Sequence, residues 1–315
     1  MRIKFILAIV VAITLFSCKQ EDKVIYMFSS FREPATDGLY YAYSEDGYHW
    51  NDLGGSWLKP EVGTQKLMRD PSVVQGKDGT YHMVWTSSWK GDLGFGYASS
   101  KDLINWSEQK QITAMTDTST VNVWAPELFY DDVKDEYIII WASTVPFKFE
   151  KGIEDERNNH RMYYLTTKDF VSFSETKLFY DPGFSVIDCV IVKRAADDYV
   201  LILKDNTRPN RYLQAAVGKS PIGPWTDITE PFSGLLTEGP TVEKVGNDYL
   251  IYYDFYGEKR YAAARTNDFK TFEDVSTEIS LPQGHKHGTI FKTSEPILEN
   301  LLKEATNRGF ISTQK

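Results

Sequence analysis

Four acidic side chains and one histidine mark five short apolar runs: Asp70 before Pro71–Val74, Glu127 within Pro126–Tyr130, Asp188 before Cys189–Val192, Glu238 before Pro240–Val245 and His287 before Gly288–Lys292. Their successive separations are 57, 61, 50 and 49 residues, so each acts as the marker of one repeating structural unit. Groups held at matching places in units arranged as a ring converge on its axis. Charge there is costly to desolvate, so a purely structural role explains the set poorly. Carboxylates brought together this way can divide acid–base work. One keeps a proton and donates it, another stays ionised and accepts one, and a third beside the donor disfavours the donor's ionisation.

The elements that must position these residues repeat in register with them. An Asp followed four residues later by an aromatic recurs as Asp46/Trp50, Asp102/Trp106, Asp169/Phe173 and Asp268/Phe272, with Pro221/Trp225 as a degenerate fifth copy. Before each lies a strand of alternating character: Leu39–Ser44, Gly94–Ser100, Met162–Thr167, Tyr212–Val217 and Tyr261–Thr266. Upstream again is a more continuously apolar strand, as buried second strands of stacked sheets require: Val24–Phe28, Tyr81–Thr86, Tyr137–Ala142, Tyr199–Leu203 and Tyr249–Tyr253. The marker residues head the inner strands.

The fifth inner strand lies near the C-terminus, whereas its partner strands lie near the N-terminus. That offset predicts an all-β, five-bladed β-propeller over residues 24–293, its last blade closed by the N-terminal strands plus the C-terminal strand, which leaves no bare sheet edge. Residues 294–315 carry no blade signal and form a tail, helix-compatible through Leu298, Leu301 and Leu302, that packs on or near the propeller. Arg2 and Lys4 precede an apolar run, Phe5–Phe16, too short to span a bilayer as a permanent helix. Residues 1–17 therefore read as a secretory signal, and Leu15-Phe16-Ser17-Cys18 resembles a bacterial lipobox with Cys18 as the lipidated residue. Residues 18–23 form a tether, and the chain is expected to be an exported, membrane-anchored lipoprotein, periplasmic or at the cell surface, held to the outer membrane by its lipid. After Cys18 only Cys189 remains, so no intramolecular disulfide forms, and its apolar surroundings predict a buried, inert thiol.

The motifs Met68-Arg69-Asp70-Pro71, Trp124-Ala125-Pro126-Glu127, Val186-Ile187-Asp188, Glu238-Gly239-Pro240 and His287-Gly288-Thr289, in this order and at blade spacing, resemble family 43 of the glycoside hydrolases. The resemblance covers nearly all of the chain after the signal segment. It implies an inverting glycosidase in which Asp70 is the general base, Glu238 the general acid and Asp188 the carboxylate that raises and orients the acid. It also implies that His287 contacts a central metal ion, often calcium, or its water shell; no cofactor is otherwise required. Inversion needs the acid and base carboxyls roughly 6.5–9.5 Å apart, with a water between base and sugar, a gap that opposite sides of a five-blade axis supply. The sequence departs from the pattern at Cys189, where relatives commonly have Pro, and at Glu127, where Asp is common.

The loops joining second and third strands share the mouth with these residues and are rich in Trp, Tyr, Phe and Arg. Trp89, Trp124, Glu127, Arg208, Arg211, Arg260 and His287 are the expected substrate contacts, because aromatic faces stack on sugars and polar groups bond their hydroxyls. The substrate is expected to be an oligosaccharide or polysaccharide containing arabinose, xylose or galactose, and the three arginines also permit a charged glycan. The chain has 315 residues, 14% of them aromatic, and a net charge of −9. No basic run stands out, so nucleic acid is not a partner; a monomer is expected. The five histidines, 49, 82, 160, 285 and 287, form no metal-ligand motif; His287 is expected inward and His285 on the rim. Two alternatives stay open at this point. One is a non-catalytic surface glycan-binding propeller. The other is a different five-bladed glycosidase family, although the Asn-Asp-Pro motif of fructan-cleaving enzymes is absent.

Overall fold

The computed structural model describes residues 23–312; the signal segment, Cys18 and most of the tether fall outside them. Five four-stranded antiparallel sheets are each built in sequence order from the axis outward, except the last. Their inner strands are Arg69–Gln75 in blade I, Trp124–Asp131 in II, Val186–Ala195 in III, Glu238–Val245 in IV and Thr289–Ser294 in V. In blade V the inner strand pairs with the N-terminal strand, Val24–Ser30, from Val24 opposite Ser294 to Ser29 opposite Thr289. The ring is thus closed by backbone hydrogen bonds between strands far apart in the sequence, as the offset of the repeats predicted.

Second strands are buried on both faces because neighbouring blades cover them. In blade II, Ile138, Ile139, Ile140, Trp141 and Ala142 have no exposed surface, which is why these segments read as unbroken apolar runs. The Asp-containing turns join third and fourth strands and share one hydrogen-bond pattern. At Asp102, Oδ1 accepts from the amides of Ile104 (2.9 Å) and Asn105 (2.7 Å), while Ser100 Oγ accepts from Leu103 N at 2.9 Å. Asp46, Asp169 and Asp268 repeat it with Ser44, Thr167 and Thr266. Satisfying these amides fixes the turn. It turns the buried Phe170 of blade II onto His82 and Tyr97 of blade I, with ring centroids 4.3 and 4.4 Å away.

A helix, Glu295–Asn307, follows the closing strand and buries Leu298, Leu301 and Ala305 against Ile25, Met27 and Trp57. No helix among the described residues is long and apolar enough to cross a membrane. Cys189 is buried in the core between blades II and III, and burial pushes its thiol well above the ordinary range.

Candidate active site

Four of the five inner strands, those of blades I to IV, open with a break in the ladder. Arg69 pairs with Thr86 but Ser72 with Val84, so two residues bulge out between them; the same slip lies between Trp124 and Glu127, Ile187 and Val190, and Glu238 and Thr241. In every case the first bulged residue has positive φ: Asp70 at 51°, Ala125 at 45°, Asp188 at 52° and Gly239 at 58°. Outside glycine such backbone is held only where the surroundings over-determine it, and it clusters at functional sites. Ile290 N bonds Thr241 Oγ1 (2.8 Å) just as Leu128 N bonds Ser72 Oγ (3.0 Å), which aligns His287 with this same place on blade V. The sequence reading of five equivalent positions needs correction accordingly. Asp70, Asp188 and His287 are equivalent, Glu238 stands one residue nearer the mouth, and Glu127 lies two residues deeper, because the acids' types repeat while their offset from the bulge does not.

The bulges aim Asp70, Asp188, Glu238 and His287 into one pit of about 260 Å³ at the axial mouth. His287 Nδ1 lies 3.2 Å from Asp70 Oδ1, and Thr86 donates its hydroxyl to Asp70 Oδ2 at 2.8 Å. Burial acts to raise Asp70, yet the bond to His287, the Arg69 charge and the Thr86 hydroxyl together hold it below the usual carboxylate range. Burial acts to lower His287, and its carboxylate neighbours, Asp70 foremost, override that and carry it to about 9. Opposite them, Gly239 N donates to Asp188 Oδ2 at 3.1 Å, and Lys204 Nζ donates to Glu238 Oε2 at 2.9 Å. Burial raises Asp188, with the charges of Glu238 and Asp70 adding to it. Glu238 feels burial as well, but the Lys204 ammonium outweighs it and keeps this carboxyl low. Asp188 is thus raised by burial, whereas the Lys204 ammonium holds Glu238 low.

Lys204 was not among the expected site residues. Its signal was present in the sequence as a lone cation ending the apolar run Tyr199–Leu203; its side chain is 2% exposed, and such burial requires a partner. Arg69, Asn158 and Asn206 also line the pit without having been singled out. Trp89 and Trp124 form its wall, ring centroids 4.5 Å apart, with Trp124 Nε1 donating to Trp89 O at 2.8 Å and Trp124 stacked on His160. Trp89 remains 43% exposed, an apolar face open to a ligand.

Three expected contacts are not in the pit. Glu127 lies beneath its floor, where burial raises it to about 7 and Thr289 donates to it at 3.3 Å. Arg208 is turned away into an ion pair with Glu154 and Asp155. Arg260, paired with Glu258, lines a larger neighbouring cavity of about 710 Å³ whose one carboxylate, Asp254, is paired with Lys286. That cavity holds no second carboxylate, so the acid–base chemistry belongs to the smaller pit. Arg211 and His287 do line the pit. His285 is buried beside Ser30 and Asp52 rather than on the rim, since its ring nitrogens find partners there.

A calcium ion takes six to eight oxygen ligands. Among the described residues no group of three His, Cys, Asp or Glu side chains is disposed to hold a metal ion. His287, protonated and engaged by Asp70, has no lone pair to offer at Nδ1. Any coordination through this histidine would use Nε2, since Asp70 occupies Nδ1.

Comparison with known proteins agrees with the blades. Residues 21–296 match the family described as a probable glycosyl hydrolase domain, the family-43-related type. An α-L-arabinofuranosidase of Bifidobacterium longum is 25% identical over 77% of this chain, which spans only 27% of that relative's length. Among solved structures, the Cellvibrio cellulosa α-L-arabinanase complexed with arabinohexaose superposes with a TM-score of 0.57 at 13% identity, covering 85% of this chain and 96% of that one. The exo-β-1,3-galactanase of Phanerochaete chrysosporium gives 0.51 at 14% identity over 69% and 52%. These structures share the fold, and the family match runs from the first blade strand through the closing one; the chain belongs to the family-43-related glycosyl hydrolases.

Proposed function

We propose that this chain is an inverting glycoside hydrolase acting on arabinose-, xylose- or galactose-containing glycans, with Asp70 as general base, Glu238 as general acid and Asp188 as the carboxylate that sets the acid's protonation. The observation that carries this reading is the placement of three carboxylates in one aromatic-walled pit, with Asp70 engaged by His287, Glu238 by Lys204 and Asp188 raised by burial. Asp70, ionised, takes the proton of the attacking water. Glu238 must carry a proton when it meets the leaving oxygen. In the free protein Lys204 favours the ionised form of Glu238, while burial favours the protonated form of Asp188. Glu238 keeps a side-chain exposure of 36% and Asp188 is buried, so a sugar seated in the pit desolvates Glu238 far more than Asp188 and favours protonation of Glu238. Ionised Asp188 then stabilises the proton on its neighbour. The names of the relatives, an arabinofuranosidase, an arabinanase and a galactanase, support the sugar classes.

Glu238→Gln is the test. Loss of hydrolysis by roughly 10²- to 10⁴-fold with retained glycan binding supports the acid role, whereas full activity refutes it. Proton NMR of the first-formed sugar must show the inverted anomer; a retained one ends the inverting assignment. The reaction is proposed to run on these side chains without a metal. For the segment outside the described residues, the proposal is export with lipidation at Cys18 and outer-membrane anchoring of a monomer. Labelled palmitate incorporated by the native chain and lost in Cys18→Ser checks it.

A further inference from the structure

The three arginines that the sequence places at the mouth have different fates in the fold. Arg208 is consumed by Glu154 and Asp155, and Arg260 by Glu258. Arg211 lines the catalytic pit, and among the described residues no carboxylate lies within ion-pair distance of it; its Nε is buried and has no hydrogen-bond partner. An unpaired guanidinium with a desolvated N–H is costly unless a ligand completes it. Its backbone is held at φ 52° and bonded to the segment that delivers Glu238: Thr237 N donates to Arg211 O at 3.1 Å, and Leu236 N to Asn210 O at 3.0 Å. Arg211 thus stands beside the proposed acid, on the side where the leaving group must sit.

Charge in the pit favours the same ligand. Lys204, Arg211 and His287 line it against Asp70, Asp188 and Glu238, while Arg69 is held by Glu33 at 3.0 Å. Lys204 is engaged by Glu238 and His287 by Asp70, and Arg211 by neither. A neutral sugar would leave Arg211 without an opposite charge, whereas a carboxylate matches its planar fork.

We propose that the sugar on the leaving-group side of the scissile bond carries a carboxylate, that is, a uronic acid, and that Arg211 receives it. The inference rests on the glycosidase reading, and its test separates the two. Nitrophenyl glycosides first identify the neutral sugar released. A disaccharide of that sugar linked to a uronic acid is then compared with its methyl ester, which keeps the scissile linkage and removes the charge. At pH 6 in low salt the acid is expected to exceed the ester in kcat/KM by about tenfold or more, the range of a hydrogen bond to a charged group. Arg211→Gln should bring that ratio to about one, and Arg211→Lys should retain part of it. Equal rates on acid and ester in the native protein, or an unchanged ratio in Arg211→Gln, overturn the uronic-acid assignment and leave the glycosidase standing. If no glycoside is cleaved, the glycosidase reading falls, and calorimetry on the native protein decides the ligand. Tighter binding of the acid, lost in Arg211→Gln, supports the assignment; equal binding of acid and ester refutes it.

Discussion

Exchanging Lys204 for Met removes one buried cation while roughly keeping the length of its stem. Its Nζ lies 2.9 Å from Glu238 Oε2, with 2% of the Lys204 side chain and 36% of the Glu238 side chain exposed. A hydrogen bond between charged groups contributes about 1.5–3 kcal/mol, and the partial exposure of Glu238 puts this one near ~2 kcal/mol. Once the ammonium is gone, the pKa of the acid rises, because burial is then opposed by less positive charge. Lys204 also acts on Asp188, so the two acids titrate as a pair and both move upward. Activity requires the proton of this pair. The alkaline limb of the kcat/KM profile in Lys204→Met should therefore move up by about one to two pH units, while Lys204→Arg, which keeps the charge, should leave it nearly in place. Stability follows the same sign. In the native protein Glu238 lies below its ordinary value, so its contribution is present at neutral pH and lost on acidification. In the Met variant Glu238 lies higher and the folded state weakens as pH rises through the new value. An alkaline limb that stays put, or moves toward acid, in Lys204→Met refutes the assignment of Lys204 as the group holding the acid down.

His287 supplies a second pH signature: its rise from 6.5 to about 9 corresponds to ~3 kcal/mol of stability that is complete below pH 6.5 and lost as pH rises through about 9. The thermal midpoint of the native protein should fall over that window, and the fall should vanish in His287→Gln. Because His287 holds Asp70 ionised, the same variant should move the acid limb of the rate profile upward. Glu127, raised to about 7 by burial, contributes a destabilisation above neutrality; Glu127→Gln should stabilise the fold at pH 8 by about 1–3 kcal/mol in denaturant titration, and a loss there would contradict its placement beneath the pit. Gly288→Ala would put a Cβ 1.8 Å from Ser29 O in the closing blade, and a destabilisation of about 2–3 kcal/mol is expected from its denaturation midpoint. Dialysis against a chelator should leave hydrolysis unchanged; loss restored by calcium would place a cation on the axis.

Blade architecture was legible in the amino-acid order because it rests on local chemistry. The Ser/Thr-x-Asp turn satisfies its own amides wherever it occurs, so Asp46, Asp102, Asp169 and Asp268 mark third-strand ends without reference to the rest of the chain. Runs such as Tyr137–Ala142 declare burial on both faces by lacking a polar side, and ring closure followed from the position of the fifth inner strand. Placing Asp70, Asp188, Glu238 and His287 together needed no more than blade spacing and the rule that strand-one starts face the axis. Pairing was a different matter. Which of three mouth arginines is left unpaired depends on whether Glu154, Asp155 or Glu258 reaches it across a loop, and no spacing encodes that distance. The depth of Glu127 was hidden because the bulge offsets it by two residues from Ala125, and only the ladder shows where register slips. The opposite shifts of Asp188 and Glu238 are likewise a tertiary property. The sequence by itself determined the repeat, the ring and the residues that head its inner strands, since these follow from periodicity. The tertiary structure alone decided the electrostatics, because Lys204 reaches Glu238 from another blade and Coulomb interactions act through space between groups distant in the chain.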